Sequence, residues 1–224
     1  MSEDAHFCKV LSVAMKTLKV DDIIEEVRKK LDEVNANEQE EGYLDEENDN
    51  VDNLIKSCIP EGYRLTILAA PQSMLVGKAV ENPSLKIDDK LVGTLSLPKD
   101  FLRLVNVRLA SWISSCSNFI TEDEPLYRMQ SNSWVCGNPH SPVVAVVDTD
   151  EGKKLELYKA KTSDDSLKTF TYIPVADTTS DISIPNQLVG SFIYYTAGLV
   201  LAAYKETNAE DCFKIARSLM GLEE

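Results

Sequence analysis

The chain has 224 residues and a formal net charge of −14, with a hydrophobic fraction normal for a globular protein. Proteins that grip DNA or RNA neutralise its phosphates with Lys and Arg, so this charge argues against a nucleic-acid-binding protein. The N-terminus, MSEDAHFCKV, lacks the basic flank and apolar core of a secretory signal, and we expect no targeting segment. An odd number of scattered cysteines favours a reducing compartment. They are Cys8, Cys58, Cys116, Cys136 and Cys212.

The first part of the chain has the apolar spacing of helices. Residues with this spacing are Phe7, Val10, Leu11, Ala14 and Leu18, and the pattern is clearer in residues 20–34. We therefore predict N-terminal helices over 1–34. Helical spacing resumes at Val51, and Pro60 is well placed to open a further helix that Pro71 stops. These signals predict a helical region over 51–84.

An acidic, polar segment separates the two helical regions. Only Tyr43 and Leu44 are large apolar residues between residues 35 and 50. Such a composition buries too little surface to order itself, so an exposed acidic loop is predicted over 35–50. Nothing in the sequence places two carboxylates of Asp32 to Asp52 in an apolar cleft, where one pKa would rise for acid catalysis. We therefore interpret these carboxylates as a run of solvent-exposed charges.

Alternating patterns replace helical ones in the middle of the chain. Apolar and polar residues alternate from Leu91 to Leu97 and again from Val105 to Leu109, which predicts two strands. A β-hairpin is predicted over 143–158, with Gly152 in its turn. The sequence KTFTYIPVAD predicts one more strand. We assign residues 85–180 to a β-rich insertion.

The C-terminal part predicts a helical hairpin over 183–220. No charged residue occurs from Ile182 to Tyr204, so the first helix is expected to be buried on all sides. The second is amphipathic, and Thr207 with Glu210 forms a predicted capping box. The uncharged run is long enough to span a bilayer, which takes about 20 residues. Its polar residues and the capped helix after it argue against a membrane protein.

These elements predict one domain over 1–224, mainly α with a β insertion (α+β). Because the first and last parts are both helical, we expect them to pack together as a helical bundle ending in a long α-hairpin. The insertion would supply a small antiparallel sheet.

Few residues suggest a metal-binding or catalytic site. Cys136 and His140 are four apart in SWVCGNPHSP and could be half of a zinc site, with His6 and Cys8 as the only other candidate pair. A Cys136 nucleophile with His140 as its base is a second possibility. Neither set is complete. The prediction is therefore a protein that is not an enzyme, with no catalytic, metal-binding or cofactor-binding residues and no cofactor.

Three acids in the predicted hairpin resemble the start of a calcium loop. They are Asp148, Asp150 and Glu151, but Gly152 comes one position too early and the Glu expected at the twelfth position is missing. A hairpin turn is the preferred interpretation. Trp112 and Trp134, with Tyr127 between them, are candidates to anchor an interface, and core packing is the alternative.

A resemblance to a known family covers most of the chain from Asp52 onward. It is carried by the ordered motifs IPEGYRLTILAAPQSML, LSLPKDFLRLVNVRLASW, YRMQSN, LELYKA, YIPVAD and IPNQLVGSFIYYTAGLVLAAYKETNAEDCFKIARSLM. This order resembles the neck adaptor proteins of tailed bacteriophages, particularly the ring proteins of crAss-like and related podoviruses. The motifs include no catalytic fingerprint.

The resemblance implies a structural virion protein of the phage neck. Such proteins form a ring, commonly of twelve copies, that joins portal to tail and extends the DNA channel. The implied partners are other copies of the chain, the portal protein and further neck or tail proteins, and genomic DNA passes through without specific binding. The implied location is the virion neck, and the host cytoplasm during assembly. The alternative is a soluble intracellular protein–protein interaction module without catalytic activity.

Overall fold

The computed structural model describes residues 14–35, 48–81, 83–132, 134–177 and 181–222. The chain divides into two compact units, one formed by residues 1–66 and 177–224 and the other by residues 67–176. We call them the helical unit and the β-rich unit. The β-rich unit is thus inserted in sequence between the two parts of the helical unit.

The helical unit combines helices from both ends of the chain with one short strand pair. In its described part the elements are β1 (Met15–Leu18), α1 (Val20–Asn35), α2 (Asn48–Ala69), β10 (Ile182–Pro185), a 3₁₀ turn (Asn186–Leu188), α4 (Val189–Ala203) and α5 (Ala209–Ser218). The last three residues of α2 belong to the β-rich unit. Buried Ile23, Val27 and Leu31 recur every four residues along α1, so one face of this helix enters the core.

Helix α4 is the buried centre of the helical unit. Nine of its residues between Ser191 and Leu201 are buried, which confirms the prediction for this part of the helix, whereas Gly190, Ala202 and Ala203 at its ends are exposed. Tyr63 of α2 packs edge-on against Phe192, with ring centroids 6.2 Å apart. Small residues let neighbouring helices approach: a Cβ added at Gly198 would lie 2.6 Å from Cε1 of Phe213 in α5.

The strand pair corrects the prediction at both ends of the unit. Met15 to Leu18, predicted helical, form β1, which pairs antiparallel with β10 from Met15–Pro185 to Leu18–Ile182. The helical hairpin predicted from residue 183 therefore begins later, at Val189. Four residues are too few for their spacing to separate a strand from a helix, and pairing with a distant segment decides the outcome.

Two sheets with one shared core dominate the β-rich unit. Its described elements are a 3₁₀ turn (Gln72–Met74), β2 (Lys78–Ala79), β3 (Leu85–Ile87), β4 (Val92–Ser96), β5 (Phe101–Leu109), β6 (Ile120–Thr121), α3 (Pro125–Met129), β7 (Val144–Thr149), β8 (Gly152–Tyr158) and β9 (Leu167–Pro174). One sheet has the order β2-β9-β5 and another the order β3-β4-β8-β7-β6. With the β1–β10 pair, these are the three sheets of the described residues.

The core of the β-rich unit comes from the inner faces of its two sheets. Its buried residues are Leu95, Leu104, Val107, Leu109, Trp112, Val144, Leu155, Leu157, Ala160 and Phe170. Strands β7 and β8 form the predicted hairpin, with Gly152 at φ +112° directly after the turn. The strands predicted around Leu91–Leu97, Val105–Leu109 and KTFTYIPVAD are confirmed as β4, β5 and β9.

Arg103 of β5 holds the end of α2. Its Nη1 atom lies 2.7 Å from the carbonyl oxygen of Ala70 and 3.1 Å from that of Leu68, and it also reaches the carbonyl of Ile67. Carbonyls in the last turn of a helix have no intrahelical donors, so a guanidinium is well suited to satisfy them. Partial burial lowers the pKa of Arg103.

The predicted fold class is wrong. The structure is mixed α and β, with 37% helix and 28% strand, and no long helical bundle dominates it. One reason is that the helical prediction over 51–84 fails after Ala69, where the 3₁₀ turn and β2 follow. The other is that ten strands, several of only two to four residues, lie in the described part of the chain. Strands this short carry too few alternations to be read from sequence.

Two local predictions about helix starts are also wrong. Pro60 does not open a helix but lies inside the continuous α2. Thr207 and Glu210 do not form a capping box, because Asn208 is the N-cap of α5 and makes no side-chain capping bond. The helices predicted at 20–34 and after residue 208 are confirmed. The single-domain interpretation of residues 1–224 stays a prediction.

Among the described residues, the structure has no helix that combines the length and apolar character needed to cross a membrane.

Candidate functional site

Large apolar side chains are exposed on segments of the β-rich unit that hydrogen bonds join. We define the Trp134 surface by its five members, which with their exposed fractions are Ile113 (57%), Leu126 (39%), Met129 (48%), Trp134 (92%) and Val135 (52%). An exposed Leu alone means little, whereas several large apolar side chains on linked segments mark an interaction site. The Trp134 surface is therefore the candidate functional site.

Helix α3 and the loop after it are joined through Gln130. This residue is buried, its Nε2 atom donates to the carbonyl of Leu126 at 2.9 Å, and its Oε1 atom accepts from the backbone N–H of Gly137 at 2.9 Å. Pro125 at the first helical position starts α3 with its φ angle already set. The exposed Leu126 and Met129 thus sit on a helix whose end is fixed to the following loop.

The loop that carries Trp134 is built by hydrogen bonds of Asn132. Its side-chain Oδ1 accepts from the N–H of Trp134 at 3.0 Å, and its carbonyl accepts from the N–H of Cys136 at 3.0 Å. Farther along, the carbonyl of Pro139 accepts from the N–H of Ile113 at 2.8 Å. The backbone of the Trp134 surface is therefore held in place, while the indole itself is exposed.

Helix α3 rests on the outer face of the five-stranded sheet through a cluster of two tyrosines and a glutamate. The hydroxyl of Tyr158 donates to Oε2 of Glu156 at 2.5 Å, and the hydroxyl of Tyr127 lies 3.4 Å from the same oxygen. The rings of Tyr127 and Tyr158 meet edge to face, with centroids 6.5 Å apart. Burial and the Glu156 carboxylate raise the pKa of Tyr158, so its hydroxyl stays protonated and supports α3.

The two tryptophans have opposite roles. Trp112 is buried in the core of the β-rich unit and donates from Nε1 to the carbonyl of Lys159 at 3.1 Å. Core packing is therefore confirmed for Trp112, and Trp134 has the exposure that an interface anchor needs. Tyr127 belongs to α3 and is half-buried against Tyr158, so it supports the Trp134 surface rather than forming it.

The described residues contain two of the side chains considered for metal binding or catalysis, Cys136 and His140. Cys136 is half-buried and His140 is exposed, and no group of three or more potential metal ligands occurs within the described ranges. His6 and Cys8 lie outside those ranges. Asp148 lies in β7, one residue before the strand ends, and Asp150 and Glu151 form the hairpin turn, as predicted.

Most of the predicted acidic loop, residues 36–47, lies outside the described residues. At its edge, Asp52 of α2 accepts from Nε of Arg28 of α1 at 2.7 Å. The prediction of a loop over 35–50 is wrong for Asn35, which ends α1, and for residues 48–50, which begin α2.

Four of the five members of the Trp134 surface escaped sequence analysis. Leu126 and Met129 are three apart after Pro125, which is a weak signal of a short helix with an apolar side. In a segment this irregular, residue type does not distinguish exposed from buried side chains, because the buried Trp112 is of the same type as the exposed Trp134.

No protein-family model matches the chain, and no curated protein matches its sequence.

Proposed function

We propose that this chain is a structural subunit of the neck of a tailed bacteriophage, where copies form a ring that joins portal to tail. The observation that carries the proposal is the Trp134 surface, whose central indole is 92% exposed. A monomer gains nothing from exposing Trp, Met, Leu, Ile and Val side chains together, whereas aromatic residues and Met are enriched in protein interfaces. We propose the phage neck as the assembly because the order of the sequence motifs resembles that of neck adaptor proteins.

A head-to-tail ring needs two different surfaces on each subunit. The Trp134 surface lies in the β-rich unit. The helical unit also exposes large apolar side chains at Tyr204, Ile215 and Leu219, on and beside the α4–α5 hairpin. Each unit therefore has apolar residues available for a neighbouring subunit, which supports a contact between unlike surfaces.

The charge of the chain suits a channel wall. A formal net charge of −14 repels phosphates, so DNA can slide past without being held. The acidic balance thus supports the passage of genomic DNA without specific binding.

The test is to mix the purified chain with the portal protein encoded nearest to its gene and to examine the mixture by electron microscopy and mass photometry. We expect rings of the chain on the portal. Trp134→Ala should raise the protein concentration required for ring formation at least tenfold. Val175 is an exposed residue outside the Trp134 surface, and Val175→Ala should leave that concentration unchanged.

A chain that does not bind the portal and is absent from purified virions would overturn the proposal. The same Trp134 surface would then favour the other candidate, an intracellular interaction module that uses it for a different protein partner.

A further inference from the structure

Charge is distributed unevenly between the two units. The β-rich unit has 13 Asp and Glu against 12 Lys and Arg, so its net charge is −1. The remainder of the chain, which forms the helical unit, has a net charge of −13. Electrostatic repulsion between two copies therefore acts mainly through the helical unit, and the β-rich unit can approach a second copy at little cost.

The Trp134 surface also has charges of both signs at its edge. Three exposed acids, Glu122, Asp123 and Glu124, directly precede α3, and Arg128 is exposed between Leu126 and Met129. Arg128 forms no ion pair with any of the described residues, although three carboxylates are close to it in sequence. A surface with an apolar centre, an acidic side and an unpaired Arg is complementary to itself.

We propose that the Trp134 surface binds the same surface of a second copy in a two-fold symmetric dimer. In such a contact, each interaction occurs twice, so Arg128 of each chain meets the acids before α3 of the other. Trp134, Leu126 and Met129 lie between these charge pairs. A buried Trp contributes about 150–250 Å², which is a substantial share of the roughly 800 Å² per partner in a standard interface.

This inference does not rest on the proposed function, since it concerns the free protein. If the chain also forms rings through the Trp134 surface, the dimer must open first, because a two-fold contact occupies the surface that a neighbour in a ring would use. The dimer is then the form in which the apolar surface is covered before assembly.

The test measures the mass of the free full-length chain by analytical ultracentrifugation over about 1–100 µM, a range in which weak dimers dissociate and re-form. We expect a concentration-dependent dimer. Trp134→Ala and Arg128→Glu should each raise the dissociation constant at least tenfold, while Val175→Ala should not change it. Circular dichroism and thermal unfolding check that each variant is folded.

A charge exchange makes the test specific for the proposed pairing. Asp123→Lys alone should also weaken the dimer, because it opposes Arg128 of the partner chain. Mixing Asp123→Lys chains with Arg128→Glu chains should restore dimers, since both contacts then join opposite charges. A wild-type chain that is monomeric throughout, or a dimer unaffected by the Trp134 and Arg128 variants, overturns the inference. Neither outcome bears on ring formation with the portal, which is measured separately.

Discussion

Gly62 shows how one residue position limits the packing of the helical unit. A Cβ added at Gly62 of α2 would lie 2.2 Å from Oγ1 of Thr196 and 3.2 Å from its Cα in α4. The Thr196 hydroxyl also donates to the carbonyl of Phe192 at 2.9 Å, so it is not free to move away. We predict that Gly62→Ala lowers the free energy of unfolding by about 1 to 3 kcal/mol, although Ala favours helix more than Gly. Urea denaturation measures this change.

Thr196→Ala is the matched second variant for Gly62. It removes the hydroxyl that the new methyl group meets, so the double variant should lose less stability than the sum of the two single variants. If the stability loss of the double variant equals the sum of the two single losses, Gly62 and Thr196 are not in contact as described.

Cys212 gives the helical unit a sensitivity to alkaline pH. Burial, with a smaller effect of Asp211, raises the pKa of the Cys212 thiol from 9.0 to about 11. The folded state therefore holds this proton more tightly than the unfolded state. The resulting stability is complete below pH 9 and is lost as the pH rises towards 11.

We predict that the free energy of unfolding falls between pH 9 and 10.5 and that Cys212→Ala reduces this slope. Denaturation at several pH values measures both. Val175→Ala, which removes no titratable group, is the control, and it should keep the slope of the wild type. An equal slope in the Cys212 variant would assign the alkaline loss to other groups.

At the scale of elements, the β7–β8 hairpin depends on one backbone conformation. Gly152 has φ +112°, a value that side chains with a Cβ rarely adopt, and nothing lies within 4 Å of an added Cβ. Gly152→Ala therefore tests backbone strain without a steric clash. We predict a loss of about 1 to 3 kcal/mol in unfolding free energy. Asp150→Ala in the same turn should cost much less, and similar losses in both variants would contradict the argument.

The elements that could be predicted from sequence are those with long, regular patterns. Alternation over five to seven residues indicated β4 and β5, the sequence KTFTYIPVAD indicated β9, and the absence of charge indicated the buried α4. The strands that were missed, β1, β2, β3, β6 and β10, have two to four residues. Their conformation comes from pairing with residues far away in sequence, as Met15 pairs with Pro185.

At the scale of the whole molecule, the missed strands changed the fold class from mainly helical to mixed. The candidate site was predicted only through Trp134, because two tryptophans in one irregular stretch gave no sign of which was exposed. What separates them is the indole N–H of Trp112, which donates to the carbonyl of Lys159, 47 residues away in sequence. Contacts of this kind depend on tertiary structure and have no local pattern.

The insertion of one unit into the other also sets an order of events during synthesis on the ribosome. All residues of the β-rich unit have been added at Ala176, but the helical unit still lacks α4 and α5. At about 5–20 residues per second, the rest of the chain takes roughly 2 to 10 s to follow. The inserted unit thus completes its core first. The apolar faces of α1 and α2 stay uncovered until α4 and α5 have been synthesised. The nascent chain is consequently most exposed to aggregation and to chaperones at its N-terminal helices.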